Sequence, residues 1–145
     1  MAYVSRGFIP QTSLASNLGF TRPMYIPAGN GTATALYDIV KVSTSGSTVD
    51  TAGVPAGLMG CVRVSDKDDV PCGVIVGFIA DPDYLNQTYR SASTARVALV
   101  NYDPQVVLEA QEDDNGTTLA VARIGTPVDL VPGSIDTVTG TSGMQ

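Results

Sequence analysis

Two clusters of carboxylates are the residues of this chain whose spacing could most readily do chemistry, as ligands of a divalent cation. Their members are Asp66, Asp68 and Asp69 in one cluster and Glu112, Asp113 and Asp114 in the other. Gly116 could serve as the turn glycine of an EF-hand calcium loop, but that alignment puts Gln111 and Ala122 at the first and last ligand positions, so the motif fails. Solvated loops that resist aggregation are the better interpretation, and we predict no metal site.

The two cysteines are the candidate nucleophiles. The chain has no histidine, which argues against His-based triads and most zinc sites. Cys61 and Cys72 lie in apolar runs without a neighbouring base, so the sequence does not indicate nucleophilic catalysis. If residues 60–64 and 73–77 pair as a hairpin, the cysteines lie roughly 10 Å apart, too far for a disulfide. We therefore expect two buried free thiols, as in a reducing cytosol.

One segment resembles an enzyme motif. Residues 77–84 read Gly-Phe-Ile-Ala-Asp-Pro-Asp-Tyr, similar to the Gly-x-Ile-Asp-x-x-Tyr motif of the dUTPases, which are also small all-β proteins. Ala80 stands where that family has its Asp, and Tyr84 lies one residue too far along. The glycine-rich residues 139–143 lack the arginine and the stacking aromatic of that family's phosphate-binding tail. A dUTPase-like enzyme is therefore the least favoured alternative, and we expect neither catalysis nor a cofactor.

Short apolar runs separated by turn formers organise the chain. The central pair, residues 97–100 and 106–110, is joined by a corner at Asp103-Pro104, because Pro fixes φ and Asp favours turns. Val106, Leu108 and Ala110 share one face, which we predict to cover the core. Further strands are predicted at residues 35–42, 58–64, 74–80, 119–124, 128–131 and 134–138. About eight short strands without a long amphipathic helix predict an all-β single domain with a β-sandwich or jelly-roll-like body.

The chain divides into three predicted segments. These are an extended N-terminal arm at residues 1–30, the β-sandwich or jelly-roll-like domain at 31–138 and a flexible C-terminal tail at 139–145. Glycine and proline interrupt the arm, yet it carries many aromatic and aliphatic side chains, unlike a disordered linker. Two alternatives stay open: the arm packs on its own domain, or it lies over a partner.

Composition and charge narrow the possible partners. Charged residues make up 15% of the chain, below the usual quarter, which suggests that part of the surface meets a partner rather than water. The net charge of −6 argues against nucleic acid, which is bound by basic patches. No run is long and apolar enough for a transmembrane helix, and no secretory signal is apparent. We expect no membrane partner and synthesis in a cytoplasm.

Residues 92–96 read Ala-Ser-Thr-Ala-Arg and are followed by Asp103-Pro104 and by a Glu-x-Gln-Glu strand at 109–112. This combination resembles the cement, or head-decoration, proteins of tailed bacteriophages. The resemblance extends over most of residues 22–144, in the segments 24–27, 34–40, 73–78, 89–96, 103–113 and 139–144. The resemblance implies a homodimer or homotrimer on the outer face of the virion capsid, assembled in the host cytoplasm. There it would clamp neighbouring subunits of the major capsid protein, without catalysis or cofactor.

Aromatic residues and arginines are enriched at the cores of protein interfaces, so they are the predicted contacts with the capsid or with other copies. The predicted contact residues are Tyr3, Phe8, Phe20, Tyr25, Arg90 and Arg96. The main alternative function is a carbohydrate- or receptor-binding β-sandwich on the virion, with tyrosines stacking on sugars. The absence of tryptophan counts against it.

Overall fold

The computed structural model describes residues 6–14, 20–47, 54–111 and 124–145. Within these ranges the chain is all-β, as predicted, and no described helix could span a membrane. The strands are β1 (Ile9–Ser13), β2 (Thr21–Ile26), β3 (Ile39–Ser43), β4 (Gly60–Arg63), β5 (Gly73–Phe78), β6 (Arg96–Asn101) and β7 (Val106–Glu109). Five of them form a closed barrel instead of a clear jelly-roll sandwich, because β2 meets β4 and leaves no open edge between them.

The barrel has the strand order β2-β4-β3-β5-β6. Strand β6 pairs antiparallel with β2, from Thr21 opposite Asn101 to Ile26 opposite Arg96, and antiparallel with β5 on its other edge. The barrel closes at one parallel pairing, Tyr25 with Gly60. Glycine is needed there, since a Cβ on Gly60 would lie 2.1 Å from a backbone oxygen.

Side chains that alternate along the barrel strands fill its interior. The fully buried members are Met24, Ile26, Val40, Cys61, Ile75, Ala98 and Val100. They come from all five barrel strands, so each strand directs one face inward, as the period of two along a strand requires. These side chains form the main core of the described residues.

The expected hairpin between residues 60–64 and 73–77 is wrong. Strand β3 lies between β4 and β5 and pairs antiparallel with both, so that Val40 faces Arg63 on one side and Gly73 on the other. Strand β3, which begins at the buried Ile39, therefore forms backbone hydrogen bonds along both of its edges. Cys61 and Cys72 are free thiols, as predicted, with Cys61 buried and Cys72 half-buried.

The predicted corner between β6 and β7 is confirmed. Asp103 is buried, and its Oδ1 accepts the backbone N–H of Gln105 at 2.9 Å. Its Oδ2 accepts the hydroxyl of Ser13, which ties the corner to the end of β1. After the corner, β7 leaves the barrel and pairs antiparallel with β1 in a separate two-stranded sheet. Leu108, on the face predicted to cover the core, packs against a second buried cluster.

The described part of the predicted arm packs on its own chain. Strand β1 pairs with β7, and β2 is a member of the barrel. Of the two alternatives for the arm, these residues take the first, and the predicted boundary at residue 30 does not separate the arm from the body. The physical reason is that the backbone of β2 pairs fully with β6, which an extended arm over a partner could not do.

The predicted flexible tail is packed instead. Ser142 and Met144 are buried, and the Ser142 N–H donates to the Leu36 carbonyl at 3.0 Å. A Cβ on Gly143 would lie 1.7 Å from the Ser134 carbonyl oxygen, so the small residues that suggest flexibility permit close packing here. Val131 and Gln145 exchange backbone hydrogen bonds at 2.8 and 3.1 Å. Residues 128–131 and 134–138 are irregular, not strands, and the predicted strand at 119–124 lies almost entirely outside the described residues.

Candidate interaction surface

An exposed group of aromatic and cationic side chains lies at one end of the barrel. Phe20 and Tyr102 are 55% and 36% exposed, and their ring centroids lie 6.3 Å apart with planes tilted by 45°. The Arg22 guanidinium carbon lies 4.9 Å from the centroid of the Tyr102 ring. We call Phe20, Arg22 and Tyr102 the aromatic patch. Exposed aromatic side chains beside an arginine are typical of residues that anchor a protein interface.

Backbone pairing sets the geometry of the aromatic patch. Thr21 lies opposite Asn101 in the β2–β6 register, and the Tyr102 N–H donates to the Phe20 carbonyl at 3.0 Å. Leu14 lies near the same corner, is largely exposed and donates its N–H to the Gln105 carbonyl at 3.0 Å. The patch is therefore built on ordered backbone, which reduces the entropy lost when a partner binds.

The predicted contact residues fall in different places. Phe20 belongs to the aromatic patch. Phe8 packs against the second buried cluster, and Tyr25 is half-buried where the barrel closes. Tyr3 lies outside the described residues. The structure thus brings only Phe20 to this surface from the described aromatic members of the predicted set.

Sequence reasoning missed Arg22 and Tyr102. Arg22 lies in the predicted arm, and Tyr102 lies between the predicted strands 97–100 and 106–110, next to the corner. The available signal was that Tyr102 stands just after a buried strand, where a side chain emerges from the sheet.

Arg90 is not available to a partner, contrary to the prediction, because its side chain is fully buried. Its guanidinium donates to four backbone carbonyls at 2.6 to 2.9 Å, those of Pro27, Asn30, Thr32 and Thr94. Burial lowers the pKa of Arg90 to about 10, so the group is charged at neutral pH. Arg90 therefore joins the loop that follows β2 to the loop that precedes β6.

Arg96 is also buried and holds a different loop. It donates to the carbonyls of Ile79, Gln87 and Tyr89, and its guanidinium carbon lies 4.9 Å from the Phe78 ring centroid. Burial lowers its pKa, and the nearby Asp81 carboxylate opposes that effect. The side chain is a structural tie, although the loop it ties is exposed.

A buried ion pair links β4 to the residue before β3 and to the C-terminal segment. The Arg63 Nε lies 3.0 Å from Asp38 Oδ2, and Asp38 Oδ1 accepts the Ser142 hydroxyl. Burial raises the pKa of Asp38, while the charge of Arg63 and the hydrogen bond from Ser142 work in the opposite direction. The Arg63 guanidinium also donates to the Gly133 carbonyl, while its Nε meets Asp38 as an ion pair without hydrogen-bond geometry. The charges are thus paired within the chain, so the arrangement is structural.

The first acidic cluster organises its own loop. Asp69 accepts the backbone N–H groups of Ser65 and Asp66 at 3.0 and 3.1 Å. The hydrogen bond from Lys41 is the largest cause that lowers the pKa of Asp69, to about 2. Among the described residues no group of His, Cys, Asp or Glu has the arrangement of a metal site. The second acidic cluster lies outside the described residues.

Neither cysteine is activated as a nucleophile. Burial, with a contribution from the neighbouring Cys72, raises the pKa of the Cys61 thiol to about 12, and burial also raises that of Cys72. Both thiols are therefore protonated at neutral pH. A thiolate is the reactive form, so these residues serve as small apolar side chains.

Comparison of the chain with protein-family models, with curated proteins and with solved structures finds no match.

Proposed function

We propose that this chain is a capsid cement protein, which binds the outer surface of a tailed-phage head and clamps neighbouring subunits of the major capsid protein. The observation that carries the proposal is the aromatic patch, in which Phe20 and Tyr102 remain exposed on ordered backbone. The resemblance of residues 89–96 and 103–113 to cement proteins supplies the identity of the partner.

The proposed mechanism is mechanical. The patch offers two aromatic rings for apolar contact, and Arg22 offers a planar cation for a carboxylate on the capsid. One small contact need not be tight, because many copies on one closed shell add interface area across many joints. The same repetition favours small oligomers, a homodimer or a homotrimer, which would hold several patches against one shell.

The net charge of −6 also supports a place on the outer face. The inner face of a filled head meets DNA, and an acidic protein would be repelled by its phosphates. The protein would then be made in the host cytoplasm and join the shell from outside, without a membrane or nucleic-acid partner.

Binding to expanded, DNA-free shells of the major capsid protein from the same genome tests the proposal. We compare the wild type with a double variant, F20S/Y102S, and with V138S as a control, since Val138 is 91% exposed outside the patch. Loss of two interface anchors should weaken binding by about 2 kcal/mol or more, roughly thirtyfold in Kd. V138S should bind like the wild type, and circular dichroism checks that each variant is folded.

Two results would contradict the proposal. If F20S/Y102S occupies the shells as fully as V138S, the patch is not the contact. If the wild type does not bind shells but does bind immobilised glycans, the alternative of a carbohydrate- or receptor-binding virion protein takes its place. Copy number in purified particles gives a second check, because a cement protein approaches the copy number of the major capsid protein.

A further inference from the structure

A second exposed apolar site lies on the loop that joins β5 to β6. Tyr84 and Leu85 are adjacent in sequence and are 61% and 75% exposed. They lie on two successive turns, in which the Tyr84 N–H donates to the Asp81 carbonyl and the Gln87 N–H donates to the Tyr84 carbonyl, both at 3.1 Å. We call Tyr84 and Leu85 the loop tip. Two adjacent large apolar side chains at a turn expose surface that a partner would remove from water.

The buried guanidinium of Arg96 holds the loop that carries the loop tip. Arg96 binds the carbonyl of Ile79 at the start of the loop and those of Gln87 and Tyr89 beyond its tip. One guanidinium therefore ties the outgoing and returning sides of the loop together. A loop ordered before binding loses less conformational entropy on docking than a mobile one. Arg96 thus acts as a positioning residue for a surface that it does not itself reach.

The loop tip and the aromatic patch lie at opposite ends of the barrel. Strand β6 begins at Arg96, beside the loop, and ends at Asn101, beside Tyr102 and the patch. Five steps along a strand span about 17 Å. The two ends of the barrel face away from each other, so a partner that docks flat on one end would leave the other end free for a second partner. The two sites are therefore arranged to contact two different surfaces.

The charge around the loop tip indicates the chemistry of its partner. Asp81 and Asp83 precede Tyr84, and residues 79–89 contain no lysine or arginine. Asp81 Oδ1 accepts the Asp83 N–H at 2.9 Å, and the side chain of Asp83 is exposed. Such a tip is complementary to an apolar recess bordered by Lys or Arg. A second copy is a poorer match, because two copies that each carry a net charge of −6 would repel each other, although Arg22 offers one local positive charge.

We propose that the loop tip is a second docking element, which inserts into an apolar recess with a basic rim on a neighbouring capsid subunit. One copy of the chain then bridges two subunits, with the aromatic patch on one and the loop tip on the other. This inference rests on the proposed function and gives it the second contact that clamping requires.

The test uses full-length protein and the same expanded shells. Three variants are compared with the wild type: Y84S/L85S, the charge reversal D83K, and V138S as the matched exposed control. We expect Y84S/L85S to bind at least about tenfold more weakly than the wild type, and V138S to bind equally. D83K should also bind more weakly and should lose part of the salt dependence seen with the wild type, since it removes an attraction to basic residues.

Bridging has its own readout. At a concentration that saturates the shells with Y84S/L85S, we expect the variant to remain bound through the aromatic patch and yet to raise the shell's melting temperature less than the wild type does. Failure of the two proposals is distinguishable. If the wild type binds and stabilises shells and Y84S/L85S does both equally well, the loop tip is not a docking element, although the cement function stands.

If the wild type does not bind shells at all, both the cement function and this inference are refuted. If the wild type self-associates in solution and Y84S/L85S does not, the occupant is a second copy, and the assignment to a capsid subunit is overturned. Circular dichroism of Y84S/L85S, whose altered side chains are exposed, confirms that the barrel is intact before binding is measured.

Discussion

Replacing Arg90 by methionine should destabilise the barrel severely, although a surface arginine would tolerate the same change. The Arg90 side chain is fully buried and reaches four backbone carbonyls. Methionine keeps much of the length and apolar volume of arginine but donates no hydrogen bond. The change therefore isolates the hydrogen bonds from the packing.

The four carbonyls do not contribute equally. The Pro27 and Asn30 carbonyls also accept backbone N–H groups, from Asn30 at 3.0 Å and from Ser93 at 2.9 Å, so they keep a partner without Arg90. The main loss in R90M is therefore that of the hydrogen bonds which Arg90 donates to the Thr32 and Thr94 carbonyls. A hydrogen bond from a charged donor contributes about 1.5–3 kcal/mol, and relief of the buried charge offsets part of the sum, so we expect R90M to lose about 3–5 kcal/mol. That is a large part of the roughly 5–15 kcal/mol by which a domain is stable.

Urea unfolding followed by far-ultraviolet circular dichroism measures this loss, since the chain has no tryptophan. R22M is the matched control, because Arg22 is exposed and its guanidinium lies over the exposed Tyr102 ring; it should change stability by about 1 kcal/mol or less. R90K should fall between the two, because an ammonium is a point donor without the planar fork of a guanidinium. If R90M is as stable as R22M, the view of Arg90 as the tie between the two loops is refuted.

Three further predictions concern other parts of the chain. M144A should lose about 2–5 kcal/mol in urea unfolding because Met144 is buried against Ile39 and Val64, whereas M59A, at an exposed methionine, should lose much less; equal losses would contradict the packed C-terminal segment. Cys61, with its pKa raised to about 12 by burial, should not react with Ellman's reagent in the native protein and should react once unfolded; rapid native labelling would contradict this. The pKa of Asp69 is lowered to about 2, below its value of about 4 in the unfolded chain. Its contribution to stability is therefore fully present above about pH 4 and is lost as the pH falls from about 4 to about 2. D69N should show a smaller decrease in unfolding free energy from about pH 4 to pH 2 than the wild type, and an identical decrease would contradict the assignment.

The features that the sequence predicted well are local. The corner depends on Asp103 and Pro104 themselves, and the strands on either side are short apolar runs of strand length. The absence of a disulfide also followed from a local argument about spacing, although the hairpin that it assumed is not formed. A feature that depends only on residues adjacent in sequence, such as this corner, can be predicted from those residues.

The barrel depends on pairings that no local pattern records. Alternating apolar residues direct side chains inward in a sandwich and in a barrel alike. Closure depends on Tyr25 meeting Gly60 in parallel, and the strand order depends on β3 inserting between two strands that are neighbours in sequence. Both features pair residues that are far apart in sequence, and they are determined by how the side chains of the whole core pack together. The sequence therefore predicted the class but not the topology.

The two arginines show why part of the candidate site was misplaced. Arginine is enriched at interfaces because its fork binds several acceptors, and Arg90 and Arg96 use that same property on carbonyls of their own loops. A guanidinium binds backbone carbonyls of its own chain where the fold brings several loop carbonyls close together. The composition of the sequence does not show where this happens. Phe20, by contrast, was predicted for a reason that depends on residue type alone, and the structure leaves it exposed.

The burial of these arginines bears on the surface as a whole. The chain has eight lysines and arginines in all, and among the residues that the structure describes three arginines, Arg63, Arg90 and Arg96, are buried. Their charges lie beneath the surface against an aspartate or backbone carbonyls, so few cations are left to balance the acidic residues outside. Arg22 is then an exposed positive charge at one end of the barrel, while the charged residues next to the loop tip at the other end are Asp81 and Asp83. Two ends with opposite local charge would recognise different surfaces, which is what a protein that joins two neighbours requires.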